Sequence, residues 1–319
     1  MRVLVSVLAL AALFIASTAC AATAAALNNA PIIGIFAQPV FSPPDPADKQ
    51  YIAASYVKWI ESAGGRVVPI PYSLSTAKLE ALLPQLNGVL FPGGGAELSP
   101  TARHAMELIE AWNAAGDYYP MWGTCMGFQW VSEYWSRNPK ILTPLHLQNT
   151  SVALDFTGSE RASRMFAALT PDQRAIYSNR TLNVTMNNHN FGVGLKEYET
   201  SELGKTFRLI STNTDTAGLV FVSTMEHLTY PVYGVQWHPE KNNYEFSRNE
   251  DGSWHEAIAH SQEAVWASQQ MANFLVNEAR KSNRTFASFE EEHKSLIYNF
   301  APRYTSGSFV QRYYFDWNV

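Results

Sequence analysis

Cysteine is nearly absent from this chain: its 319 residues contain only Cys20 and Cys125. Cys20 falls in an N-terminal stretch that reads as a cleaved leader, so the mature chain keeps one thiol and cannot form an internal disulfide. Stability has to come from a packed core, without the cross-links a secreted protein usually carries. Positive charge is also scarce, with 23 Lys and Arg against 28 Asp and Glu and a formal net charge of −5. No basic stripe stands out, which excludes a general nucleic-acid binder. Beyond the leader no segment reads as transmembrane. There are no internal repeats and no low-complexity linker.

The leader is "MRVLVSVLALAALFIASTACAATAAA". Arg2 supplies a basic start, an apolar run follows, and "ACA" or "ATA" offers an A-x-A cleavage site. Residues 1–25 are therefore expected to be a signal peptide. Ser17 sits where a lipobox at Cys20 wants an aliphatic residue, and the apolar run is short for a membrane anchor. Four acceptor sequons follow, at Asn149, Asn179, Asn183 and Asn283. Behind a leader, they point to a secreted, lysosomal or vacuolar glycoprotein with no membrane attachment after processing.

What is present is a core-forming composition, 46% hydrophobic with 9 Trp, 15 Tyr and 17 Phe. Short apolar runs alternate with helical patterns. "PIIGIFAQP", "RVVPIPY", "NGVLFPGGG" and "YYPMWG" read as buried strands. "YIAASYVKWIESAGG", "TAKLEALLPQL", "TARHAMELIEAWNAAG" and "MGFQWVSEYWSRN" read as the helices between and after them. This rhythm predicts an α/β fold, with a mostly parallel central sheet flanked by helices. From about residue 180, "TLNVTM", "FRLISTNT", "LVFVSTME" and "VYGVQW" alternate more and predict a mixed or antiparallel extension. "SQEAVWASQQMANFLVNEARK" is a long amphipathic helix, with Ala264, Ala267, Met271, Phe274 and Leu275 at helical spacing. The tail "YFDWNV" is a late strand or a packing arm. One domain over residues 31–319 is the simplest organisation.

The lone mature thiol lies in "WGTCMGFQ", between Gly123 and Gly127, where a strand meets a helix. That is the layout of a nucleophile elbow with sulfur in place of a hydroxyl. Glycines on either side allow a sharp turn, and the N-terminus of the following helix favours a thiolate. The Met126 N–H is a natural oxyanion donor. "GVLFPGGG" offers a second, from Gly94. No G-x-G-x-x-G or GK[ST] follows those glycines, so they are not a phosphate cradle. The base is expected from "YGVQWHPEK": His238 ends a strand, and Pro239 lets Glu240 turn back to fix its tautomer.

These blocks resemble the class I glutamine amidotransferase superfamily and, within it, the γ-glutamyl hydrolases. The likeness runs from Pro31 to about Lys281 through "PIIGIFAQP", "FPGGG", "DYYPMWGTCMGFQ", "STNTD", "FVSTMEH" and "YPVYGVQWHPEKNNYE". It implies a flavodoxin-like fold, and Cys125 as nucleophile, His238 as base and Glu240 as third member. It also implies hydrolysis of folylpoly-γ-glutamates without a metal or organic cofactor. His189, in "MNNHNFGV", matches a histidine that faces the substrate. Gln129 stands where many relatives have Glu, so the substrate-facing helix lacks a negative charge there. A homodimer is the assembly the family brings with it. A glutaminase or other γ-glutamyl amidase on the same fold, or a catalytically silent binding protein, remains open at this stage.

Overall fold

The computed structural model describes residues 27–40 and 49–316. The expected signal peptide, with Cys20, lies outside the described residues. The first half of the chain follows in order: β1 (Ile32–Phe36), β2 (Gln38–Pro39), β3 (Lys49–Ala53), α1 (Ala54–Ser62), β4 (Arg66–Ile70), α2 (Thr76–Leu82), β5 (Gly88–Phe91), α3 (Pro100–Ala114), β6 (Met121–Thr124) and α4 (Met126–Trp135). Next come β7 (Thr143–Val152), β8 (Asp155–Phe156), α5 (Pro171–Ser178), β9 (Thr185–Gly192), α6 (Leu195–Thr200), α7 (Leu203–Thr206), β10 (Phe207–Thr214), β11 (Val220–His227) and β12 (Val232–Val235). The chain ends with α8 (Lys241–Tyr244), α9 (Gln262–Ala279), α10 (Phe289–Ser295), β13 (Arg303–Tyr304) and β14 (Gln311–Asp316).

The central sheet has eight strands in the order β4-β1-β5-β6-β12-β11-β10-β8. The five from β4 to β12 are parallel, and the remaining pairings are antiparallel. This is the expected mostly parallel sheet with its extension. The parallel strands are apolar throughout because both faces are covered, and their side chains alternate between two cores. Ile32 and Phe36 of β1 join Val89, Phe91 and Met121 under α2, α3 and α4. Ile33 and Ile35 join Leu90, Trp122 and Val235 under α1 and α9. The helices start where side chains can cap them: the hydroxyls of Ser75, Ser99 and Ser261 accept from the third residue of α2, α3 and α9. On α9 the expected face is buried at Ala264, Ala267, Met271 and Leu275, while Phe274 is half-buried against the core.

Two local readings differ from the structure. Residues 49–53 are strand β3, so the first helix begins at Ala54 and not at Tyr51. β3 pairs with β2 on one side and with β14, from the far end of the chain, on the other; a partner some 260 residues away overrides local helical spacing. Residues 143–152 and 185–192 form a two-stranded antiparallel ribbon, β7 with β9. The strand expected over "TLNVTM" therefore starts only at Thr185 and runs on through the Asn-rich "MNNHNFG", although Asn is a poor strand former.

Parallel order brings the carboxyl ends of β5, β6 and β12 side by side at one edge of the sheet. Gly93–Gly95, Cys125 and His238 each follow one of these ends, and β5 borders the point beside β1 where the strand order reverses.

Candidate active site

Cys125 links β6 directly to α4, with φ 51° and ψ −105°. Positive φ at a non-glycine residue with a side chain to accommodate stores of order 1–3 kcal/mol of strain. The surroundings hold it there. The Cys125 N–H donates to the Val235 carbonyl at 2.8 Å, and the Gly127 N–H to that of Pro92 at 3.1 Å. The elbow is thereby tied to the ends of β12 and β5. A methyl group on Gly127 would lie 2.0 Å from the Phe91 carbonyl oxygen, and one on Gly123 2.6 Å from that of Gly127. The two glycines are needed for close approach of backbone to backbone. Cys125 itself is 5% exposed.

His238 lies three residues beyond β12, its N–H donating to the Met186 carbonyl of β9 at 2.8 Å. Its Nδ1 is 2.7 Å from Glu240 Oε1, and both side chains are buried. Pro239 turns the chain between them, as the H-P-E spacing requires. Nδ1 is engaged by the carboxylate, which leaves Nε2 for the Cys125 sulfur. Burial pushes the His238 pKa down, but the charges of Glu240 and Cys125 together outweigh it and raise it to about 10. The ring is an imidazolium held between Glu240 and the Cys125 sulfur.

One residue of this cluster carried no signal in the sequence. Tyr56, on the buried face of α1, accepts the Gly93 N–H on its hydroxyl at 2.7 Å, and that oxygen lies 3.4 Å from His238 Nδ1. Burial first, and the Glu240 charge second, keep the phenol protonated well above its usual range. In a helix pattern an apolar-face tyrosine reads as core, and most of Tyr56 is core.

A cavity of about 350 Å³ opens on Cys125, lined also by Gly94, Met126, Gln129, His189 and Phe191. Neither the Gly94 nor the Met126 N–H has a hydrogen-bond partner among the described residues. Gln129 Nε2 donates to the Phe191 carbonyl at 2.7 Å. His189 is buried on β9, edge-on to Phe221, with Nε2 3.1 Å from Asn187 Oδ1. Burial, reinforced by the His238 charge, lowers its pKa to about 3, so its ring is neutral. Behind this wall Lys241 and Glu256 form a buried ion pair, and Asn188 Nδ2 donates to Glu256 at 2.6 Å. Glu97 and Glu133 also line the cavity. The sequence reading missed both, since single acidic residues carry no motif. No three His, Cys, Asp or Glu side chains converge as metal ligands among the described residues.

Of the sequons, Asn149, Asn179 and Asn283 are exposed and Asn183 is half-buried. Among the described residues no helix is long and apolar enough to cross a membrane.

The sequence has counterparts among known proteins. The model of the Peptidase C26 family matches residues 31–240. γ-Glutamyl hydrolase of Homo sapiens is 42% identical over 276 residues, 84% of this chain and 84% of its own length. That of Mus musculus is 41% identical over 297 residues, covering 91% and 90%. γ-Glutamyl hydrolase B of Dictyostelium discoideum is 37% identical over 289 residues, covering 88% and 80%. Among solved structures, a glutamine amidotransferase of Thermotoga maritima superposes with a TM-score of 0.46 at 11% identity, over 79% of this chain and 99% of that one. With one family model spanning the elbow, the histidine and the glutamate, and relatives matching over most of their length, the chain belongs to the Peptidase C26 family.

Proposed function

We propose that this chain is a γ-glutamyl hydrolase that acts on poly-γ-glutamylated folates through Cys125, His238 and Glu240. The observation that carries the reading is the strained Cys125 elbow facing a buried His238–Glu240 pair. Strain of that kind needs a reason, and presenting a nucleophile to a carbonyl is one. The names of the relatives supply the bond.

In this mechanism the Cys125 thiolate attacks the γ-carbonyl carbon, a C–S bond forms, and the carbonyl electron pair moves onto oxygen. The Gly94 and Met126 N–H groups donate to that oxyanion. As the intermediate collapses the C–N bond breaks, and the His238 imidazolium gives its proton to the departing amine. The neutral imidazole then takes a proton from water, whose oxygen attacks the thioester. The C–S bond breaks and the thiolate returns. The net change is one amide and one water converted to a carboxylic acid and an amine. Glu240 keeps His238 charged and oriented, while His189 and Gln129 face the γ-glutamyl residue. Residues 31–319 act as one catalytic domain. Residues 1–25 direct it into the secretory pathway, where the exposed Asn149, Asn179 and Asn283 are the accessible glycan sites.

The test is incubation of the mature protein with pteroyl-penta-γ-glutamate at mildly acidic and neutral pH, with products followed by mass spectrometry. Glutamate release that disappears in Cys125→Ala is expected. Intact substrate after prolonged incubation with wild-type protein would overturn the reading.

A further inference from the structure

The tip of the C-terminal hairpin, β13 with β14, docks on the turn of chain that follows Glu240. The Thr305 N–H donates to the Val310 carbonyl at 3.0 Å and closes the hairpin. Each of residues 307–310 then meets the segment 241–247. The Gly307 carbonyl accepts from Ser247 Oγ at 2.6 Å, and the Ser308 carbonyl lies 3.4 Å from Lys241 Nζ. The Phe309 ring is buried, with Lys241 Nζ 4.9 Å from its centre. The Val310 N–H donates to Glu245 Oε2 at 2.6 Å. The same hairpin pairs through β14 with β3, which runs straight into α1, the helix that bears Tyr56.

Lys241 is the unusual member of this contact. It directly follows Glu240, and among the described residues no other lysine or arginine is buried. Its partner is the buried Glu256, whose second oxygen accepts from Asn188 in the cavity wall. A buried ion pair is a poor stabiliser, because desolvating two charges offsets most of their attraction. An apolar pair of the same size would hold the turn as well, so the charge calls for another reason. Glu240 supplies it. His238 engages its Oε1, while its buried Oε2 has no hydrogen-bond partner among the described residues. Glu245, also buried, feels both neighbours: burial raises its pKa to about 7, the Lys241 charge opposes that rise and the Glu240 charge adds to it. One ammonium is thus set among three buried carboxylates, Glu240, Glu245 and Glu256.

From this we propose that Lys241 is a positioning residue for the reaction, balancing the Glu240 carboxylate and keeping it aimed at His238, and that the tip of the C-terminal hairpin holds Lys241 in place. The proposal rests on the assignment of Cys125, His238 and Glu240 above and extends that machinery to the far end of the chain. Lys241 touches no substrate. It acts through Glu240, whose free oxygen would otherwise turn toward another donor and take the imidazole with it. Misplacing a catalytic group by about 1 Å costs about 10²-fold in rate. Phe309 and the Ser308 carbonyl confine the ammonium on the side away from Glu256, so loosening the hairpin tip loosens the same carboxylate.

The experiment compares the mature wild-type protein with Lys241→Met, which keeps the apolar stem and removes the charge, and with Phe309→Leu, with thermal melts to check folding. For pteroyl-penta-γ-glutamate, kcat is expected to fall about tenfold or more in Lys241→Met and roughly threefold in Phe309→Leu, with KM little changed in either. Proton NMR gives a readout that lost stability alone would not move: the far-downfield signal of His238 Nδ1–H in its charge-assisted bond to Glu240, assigned by its loss in Glu240→Gln. That signal should shift or broaden in both variants at temperatures where the melts show them folded. Phe309→Leu keeps an apolar anchor in the hairpin and carries the test should Lys241→Met not fold. An unmoved signal in the folded variants, or a kcat within twofold of wild type in folded Lys241→Met, overturns the proposal. If wild type leaves the substrate intact while the signal still moves in the variants, the γ-glutamyl reading falls and the positioning role stands. If wild type cuts the substrate and neither signal nor kcat changes in the variants, the γ-glutamyl reading stands and this proposal falls.

Discussion

Replacing Glu240 by Gln keeps the side chain's shape and removes only the charge to which His238 responds. The two groups are buried and 2.7 Å apart. Burial alone would push the imidazole below its ordinary 6.5; the Glu240 carboxylate and the Cys125 sulfur hold it near 10. Without the carboxylate only the Cys125 sulfur opposes burial, so the His238 pKa falls and less of the ring is protonated at physiological pH. The departing amine then meets a less protonated and less firmly oriented ring, so kcat/KM at neutral pH is expected to fall by about 10²-fold or more. The alkaline limb of the rate profile should move down from near pH 10. Stability follows the same titration. Because the folded pKa lies above the unfolded one, protonation of His238 stabilises the fold fully below about pH 6.5. That contribution is lost as pH rises through about 10. The gap between wild type and variant should therefore be widest in acid and close toward pH 10. Breaking a buried pair costs about 3–5 kcal/mol when the remaining charge persists. Here the ring can deprotonate, which favours the lower end, so the Tm below pH 6 should drop by about 5–10 °C. The assays are steady-state hydrolysis of pteroyl-penta-γ-glutamate from pH 5 to 10.5 and thermal melts over the same range. A neutral-pH rate within twofold of wild type, or a stability gap that widens as pH rises, would refute the reasoning.

Tyr56→Phe removes the acceptor of the Gly93 N–H and leaves a buried donor unpaired, at about 1–3 kcal/mol. Since Gly93 begins the loop that bears Gly94, kcat should fall about three- to tenfold with little change in KM; unchanged kcat and Tm would mean that Gly93 finds another acceptor. Gly127→Ala puts a methyl 2.0 Å from a backbone oxygen, with backbone on both sides and no flexible side chain to yield. It should destabilise by about 3 kcal/mol or more and displace Cys125, visible as a lowered Tm and altered iodoacetamide labelling. A wild-type Tm would contradict the close packing of β5 against α4.

The parts of the site that could be read from the sequence are those where chemistry demands particular residue types at fixed offsets. Glycines flanking Cys125 mark the turn because any Cβ there meets backbone. His238 and Glu240 are legible because one proline lets a buried carboxylate fold back on a ring two residues away. The same logic places the parallel strands, whose continuous apolar runs leave few alternatives. Tyr56 is different. Its hydroxyl matters only because parallel pairing brings the end of β5 over α1, and no local window contains that fact. Residues 49–53 lack a local signal for the same reason, since their strand exists by pairing with β14. Strand β9 hides His189 among asparagines that on their own favour a loop. Glu133 is the most instructive case. Its i+4 relation to Gln129 was present in the sequence, but an acidic residue on a helix reads as solvated surface until the fold shows which face closes the cleft. Chemistry that resides in one turn of chain can be read directly, whereas chemistry assembled by distant pairing needs the sheet order. The Cys125 elbow and the His238–Glu240 pair belong to the first kind and the cavity wall around Glu133 to the second, so the lining of this cavity can change by substitutions that no motif records.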